Sequence, residues 1–298
     1  RDAGASPSAV VGSIVEDFGS NYLKGESDLF VVEACEYERH FLTLAPEILV
    51  VTNIEFDHTD YYQDLADVQE AFRALMKKVP AHGFIITDVE RPSIAPLLEG
   101  LSATVIDYMR EPAYPLRLPG EFNQMNARAA SAAAKAVMPN LSQGTIITAL
   151  GDFHGTWRRF EYKGKTARGA DVYDDYAHHP TAVKETLRAL RERATGKVYV
   201  AFHPHLFSRT RDLLDGFARA FGNADEILIA PIYPAREVDD GSISNEILAQ
   251  RIVAEGGKAR ALSFEEIEQV LTEEPGEGDI IMTMGAGDIY KVANALVA

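Results

Sequence analysis

Two aspartates, a tyrosine and two histidines occupy six residues, Asp174–His179, in the run VYDDYAHHPTAV. Carboxylates, phenols and imidazoles hold and move protons, and at a strand-to-helix junction they face whatever binds there. A quieter reading has Asp174 or Asp175 capping backbone N–H groups of the helix that opens on Pro180. One aspartate alone would favour that reading; the density of this run favours a ligand-facing turn. Zinc is not expected, because adjacent histidines on one turn rarely meet at one ion and the single cysteine, Cys35, is distant.

Carboxylates and histidines also follow two earlier apolar runs, in EACEYERH (Glu33–His40) and TNIEFDHTDYY (Thr52–Tyr62). If their strands are neighbours, Glu33, Asp57 and His58 converge, and carboxylates there suit Mg²⁺ beside a phosphate. The plainer alternative is a set of solvated loop charges. Asn123 and Asn126, three apart in GEFNQMNARAA, share a helical face and could read a base or hold a phosphate oxygen. Taken alone they fit an ordinary helix start equally well. WRRFEY supplies Arg158 and Arg159, and FHPHLFSRTRDL supplies His203, His205, Arg209 and Arg211. Such arginines in a cleft between domains clamp carboxylates or phosphates. MGAGDI (Met284–Ile289) is a glycine-rich strand-to-helix turn that lets backbone approach a ligand. The pattern G-x-x-x-x-G-K-S/T occurs nowhere, and TGKVYV at Thr195 has neither its spacing nor its context.

Alternating strands and helices must position these groups. Leu29–Val32, Ile48–Val51 and Gly83–Thr87 read as strands, the first two buried, and Leu65–Val79 reads as a helix. Gly120–Val137 reads as an alanine-rich helix with its preceding loop. Beyond about residue 155 the rhythm is regular. The expected pairs are strand Ala170–Tyr173 with helix Pro180–Ala194, Val198–Phe202 with Ser208–Phe221, and Glu226–Ile232 with Ser244–Glu255. Strand Asp279–Met284 then precedes a last helix from about Asp288. This alternation predicts α/β domains on a mostly parallel sheet. Gly151–Gly169 breaks the rhythm, so the expected domains are 1–155 and 156–298. SPSAVVGSIVEDFG, near the start, is compatible with a helix, with no first strand before it.

The 298 residues are 46% hydrophobic and 25% charged, the balance of a globular chain long enough for sizeable cores. Against 45 Asp and Glu stand 29 Lys and Arg, a net charge of −16, which argues against nucleic acid as a partner. One cysteine excludes an internal disulfide framework. No apolar run reaches membrane-spanning length and no leader pattern opens the chain, so a cytoplasmic protein without membrane insertion is expected.

As a set and in this order, VVEACEYERHFL, VTNIEFDH, GEFNQMNARAA, GTWRRFEY, VYDDYAHHPTAV, FHPHLFSRTRDL, IAPIYPARE and GAGDI resemble the Mur ligases of peptidoglycan synthesis. The resemblance covers nearly the whole chain. It implies an incomplete central, P-loop-type ATPase domain followed by a Rossmann-like C-terminal domain, with the UDP-binding domain and the P-loop outside the sequence. It also implies ATP-dependent addition of L-alanine to UDP-N-acetylmuramate through an acyl phosphate, with Mg²⁺. PHLFSRT and PIYPARE favour this over the member that re-attaches recycled murein tripeptide. A third possibility is a truncated, non-catalytic nucleotide-binding homologue. By resemblance, Glu33 and His58 hold Mg²⁺, Asn123 and Asn126 contact ATP, Arg159 reaches its phosphates or ribose, and Asp175 binds the nucleotide. Tyr176, His178 and Arg209 line the reacting centre. His203 stands where the family pattern expects glutamine, and Cys35 where an acidic residue is common.

Overall fold

The computed structural model describes residues 1–297. It divides into two compact units, Arg1–Gly155 and the chain from Thr156 onward.

The first unit opens with β1 (Ser8–Val15) and β2 (Ser20–Leu23), an antiparallel pair, and β3 (Phe30–Val32) lies parallel on the other side of β1. The opening segment is therefore a strand and not a helix. Its β-branched residues suit a pleated surface, and Gly19 at φ 63° closes the turn. β3 is an edge strand with Phe30 61% exposed, so the expectation of a buried strand there fails. Apolar composition shows that a strand can be covered, not that it is. Next come β4 (Ile48–Val51), α1 (Leu65–Met76), β5 (Phe84–Thr87), β6 (Thr104–Asp107), α2 (Glu121–Val137) and α3 (Gln143–Asp152). β4, β5 and β6 form a separate parallel sheet with β5 central. β4 is an edge strand there too, with Val51 buried and Val50 exposed. α1 starts where the Asp64 side chain accepts from the Asp67 N–H, and it turns Val68, Ala71 and Leu75 into the core.

The second unit runs β7 (Glu161–Lys165), β8 (Asp171–Asp175), α4 (Pro180–Arg191), β9 (Val198–Phe202), α5 (Phe207–Asp212), α6 (Leu214–Ala218), β10 (Glu226–Ile229), α7 (Asn245–Ala254), β11 (Ala259–Ala261), α8 (Phe264–Glu273), β12 (Ile280–Met284) and α9 (Tyr290–Leu296). Its sheet has the order β11-β10-β9-β12-β8-β7, parallel except for β7. The interior strands are covered on both faces: every residue of Val198–Phe202 and Ile280–Met284 is buried. The helix expected over Ser208–Phe221 is two short helices, broken at Leu213. β8 extends two residues further than expected, so Asp174 and Asp175 end the strand and do not cap α4. The cap is His179, whose side chain accepts from the Thr181 N–H, ahead of Pro180 at N1. β12 lies between β8 and β9, so the chain crosses over it in passing from β8 to β9. The carboxyl ends of these three strands meet where connections diverge, the place where open α/β sheets take ligands.

Candidate active site

Three strand ends in the second unit gather the polar residues. Asp174 and Asp175 close β8 and are almost wholly buried. Asp174 accepts from Arg158 Nε at 2.6 Å and from Thr283 Oγ1 at 2.6 Å. Burial still pushes its carboxyl up, with Arg158 and Thr283 opposing. Arg158 is itself 3% exposed, and its terminal nitrogens donate to the carbonyls of Gly285 at 2.7 Å and Gly287 at 3.0 Å. It thus welds β8 to the glycine-rich turn after β12. Asp175 accepts from the N–H groups of Phe160 and Ala177, each at 2.7 Å. Burial raises its carboxyl to about 6. The Asp175 carboxylate thus ties the residue after Tyr176 to the Arg158–Phe160 segment.

Two guanidiniums lie near the Tyr176 ring, Arg158 at 5.3 Å and Arg159 at 5.4 Å from its centroid. Arg158 is sequestered and Arg159 is exposed, so the adjacent arginines divide into a structural and an available one. His178 stands edge-on to Tyr176 at 5.2 Å, and its Nδ1 lies 2.9 Å from the Tyr176 carbonyl. A carbonyl only accepts, so Nδ1 carries the proton and Nε2 the lone pair of the neutral ring. Next to it lies His205, 5.9 Å between ring centroids, on the loop after β9. Arg209, 2% exposed, places Nη1 3.1 Å from His205 Nδ1. A guanidinium only donates, so His205 carries its proton on Nε2. Tyr176, His178 and Arg209 are thereby brought into one chain of contacts through His205.

His203 follows β9 directly and is 4% exposed. Its ring meets Tyr233 at 5.6 Å and Phe264 at 5.0 Å, both edge-on, and its Nδ1 is buried without a partner. Burial lowers its pKa to about 4. A Cβ at position 287 would sit 2.3 Å from that nitrogen, so the second glycine of GAGD makes room for this imidazole.

In the first unit the expected trio does not assemble. β3 and β4 belong to different sheets, and Glu33 accepts from the Gly12 N–H at 2.6 Å. His58 instead has Glu36 as its partner, Nε2 to Oε1 at 3.1 Å, with the Tyr37 ring 5.0 Å away. That hydrogen bond holds the Glu36 carboxyl below its ordinary range. His58 Nδ1 is buried without a partner, and the residue sits at φ 51°. Among the described residues no three His, Cys, Asp or Glu side chains lie together as a metal cluster. Asn123 donates to the Pro119 carbonyl at 2.7 Å, and Asn126 is exposed, both in the first turns of α2.

The sequence groups Arg158 and His205 with the candidate cleft residues but gives neither a separate role, and it marks neither Glu36 nor Tyr233 as a site residue, although Glu36 stands in EACEYERH and Tyr233 in PIYPARE.

The Mur ligase middle domain matches residues 15–111, and the family described as "Mur ligase, glutamate ligase domain" matches residues 158–287. The chain is 40% identical to UDP-N-acetylmuramate–L-alanine ligase of Desulfitobacterium hafniense, over 99% of this chain and 72% of that protein. The protein of the same name from Clostridium botulinum is 36% identical, over 99% and 70%. Among solved structures, UDP-N-acetylmuramate–alanine ligase of Thermotoga maritima superposes with a TM-score of 0.75 at 23% identity, over 99% of this chain and 69% of that one.

Proposed function

The chain belongs to the Mur ligase family, and from that premise we propose that it joins L-alanine to UDP-N-acetylmuramate, using ATP, in peptidoglycan synthesis. The observation that carries this reading is the 40% identity to an alanine-adding relative along 99% of the chain. In the proposed reaction the muramoyl carboxylate is activated as an acyl phosphate, the amine of L-alanine attacks it, and phosphate leaves. Two physical demands follow: the amine must lose a proton, and the reactants must be aligned.

The second unit supports the chemical steps in this reading. His178 offers its Nε2 lone pair to the attacking ammonium group, and Tyr176 sets the angle of that ring. Arg209 and His205, joined by their hydrogen bond, are assigned to the carboxylate of the amino acid. Arg159, exposed beside Tyr176, is assigned to the phosphates or ribose of ATP. Asp175 is assigned to the nucleotide through the turn that its carboxylate holds. In the first unit Asn123 and Asn126 are assigned to ATP. Glu33 and His58 are assigned to Mg²⁺, and the orphaned, buried Nδ1 of His58 is the feature that fits a cation. Mg²⁺ usually takes one or two protein ligands and completes its shell with phosphate and water, so a sparse donor set suffices. When bound it would neutralise phosphoryl charge.

No helix among the described residues is long and apolar enough to cross a membrane. We place the reaction in the cytoplasm, where ATP and nucleotide-linked sugars are available. The test is phosphate release. It is expected only when ATP, UDP-N-acetylmuramate and L-alanine are all present. Release with murein tripeptide but not with L-alanine would overturn the substrate assignment.

A further inference from the structure

Tyr233 lies on the loop after β10, 40% exposed, and stacks on His205 with ring centroids 5.5 Å apart and planes 23° apart. The contact is held from the backbone as well. The Tyr233 N–H donates to the Pro204 carbonyl at 2.8 Å, and the Leu206 N–H donates to the Tyr233 carbonyl at 2.9 Å. Further along the same loop, Glu237 accepts from both the N–H and the hydroxyl of Ser208, at the start of α5, the helix that carries Arg209. On its far edge Tyr233 abuts the buried His203. His205 is thus fixed at Nδ1 by Arg209 and across its face by Tyr233. A hydrogen bond at one ring atom leaves the plane of an imidazole open, and a stacked aromatic partner sets that plane.

We propose that Tyr233 is a positioning residue for amino-acid capture: it sets the ring plane of His205, and so the direction of the Nε2–H beside His178. The inference rests on the ligase reading above. It assigns a role to the PIYPARE segment, which otherwise has none in the reaction. Tyr233 acts through His205, so its loss weakens the grip on the amino acid and leaves the grip on ATP alone. The stack needs the ring and not the hydroxyl, so phenylalanine should serve.

The experiment combines steady-state kinetics with ¹⁵N spectroscopy of the histidine rings. Tyr233→Ala is expected to raise KM for L-alanine roughly three- to tenfold, the range of an aromatic stack, with KM for ATP unchanged. Tyr233→Phe is expected to restore the unsubstituted value. The His205 ring nitrogens should report one Nε2-protonated form in the unsubstituted protein and in Tyr233→Phe, and an altered spectrum in Tyr233→Ala. An unchanged KM for L-alanine, an unchanged His205 spectrum, or an equal rise in every KM overturns the proposal. Absence of L-alanine turnover in the unsubstituted protein strikes at the ligase reading instead, and the ring spectrum then decides the positioning on its own.

Discussion

The Tyr176 carbonyl accepts a hydrogen bond from the Nδ1–H of His178 at 2.9 Å, and this contact leaves Nε2 as the basic nitrogen of the neutral imidazole. A side chain placed in that way is suited to general base catalysis, which contributes roughly 100- to 10,000-fold to a rate. His178→Ala is expected to lower kcat for ligation by about that range while leaving KM for ATP near its original value. Turnover of the variant at the unsubstituted rate would remove His178 from the mechanism.

The Arg158–Asp174 pair should behave as structure and not as catalysis. Both side chains are at most 3% exposed, and the guanidinium also serves two carbonyls of the turn after β12. Removing one member of such a pair strands the other, at a cost of about 3–5 kcal/mol. Arg158→Met is therefore expected to lower stability to urea by that amount. Adding Asp174→Leu in the same chain should recover a good part of it, because no carboxylate is then left alone. An Arg158→Met protein within about 1 kcal/mol of the original would contradict this reading.

Two buried groups should tilt the pH dependence of stability in opposite directions. The folded pKa of His203 is depressed, from 6.5 to about 4, so the folded state prefers the neutral ring. Its contribution is complete above pH 6.5 and is lost as pH falls toward 4. The folded pKa of Asp175 is raised, from 3.8 to about 6, so the folded state prefers the protonated acid. That contribution is complete below pH 3.8 and is lost as pH rises toward 6. Each is worth about 3 kcal/mol over its window. Relative to the unsubstituted protein, His203→Gln should gain stability on acidification from pH 6.5 to 4.5. Asp175→Asn should gain it in the reverse direction. Urea midpoints at the two pH values provide the check, and a difference independent of pH in either variant would refute its half of the argument.

The second unit was largely legible in the sequence because strands covered on both faces read as short apolar runs. Val198–Phe202 and Ile280–Met284 are of that kind. Phe30–Val32 reads the same way yet lies open, since apolar composition does not say whether a neighbour arrives. Ser8–Val15 was ambiguous because a short β-branched run fits either period. In the site, local density pointed to Tyr176 and His178, which share a turn. The division of labour between Arg158 and Arg159 could not be read, because identical neighbours differ only through the backbone, with Arg158 turned inward at φ 59°. Nor could the His58–Glu36 pairing, since Glu33 and Glu36 are the same residue type on one short loop and only the fold chooses between them. The stack of Tyr233 on His205 joins two loops distant in sequence and leaves no local trace.

Those two loops share backbone hydrogen bonds in both directions, Tyr233 to Pro204 and Leu206 to Tyr233. Together with the Tyr233–His205 stack, they make the two loops one mechanical piece. A displacement of the loop after β10 would therefore be passed to His205, and from there to the helix that carries Arg209.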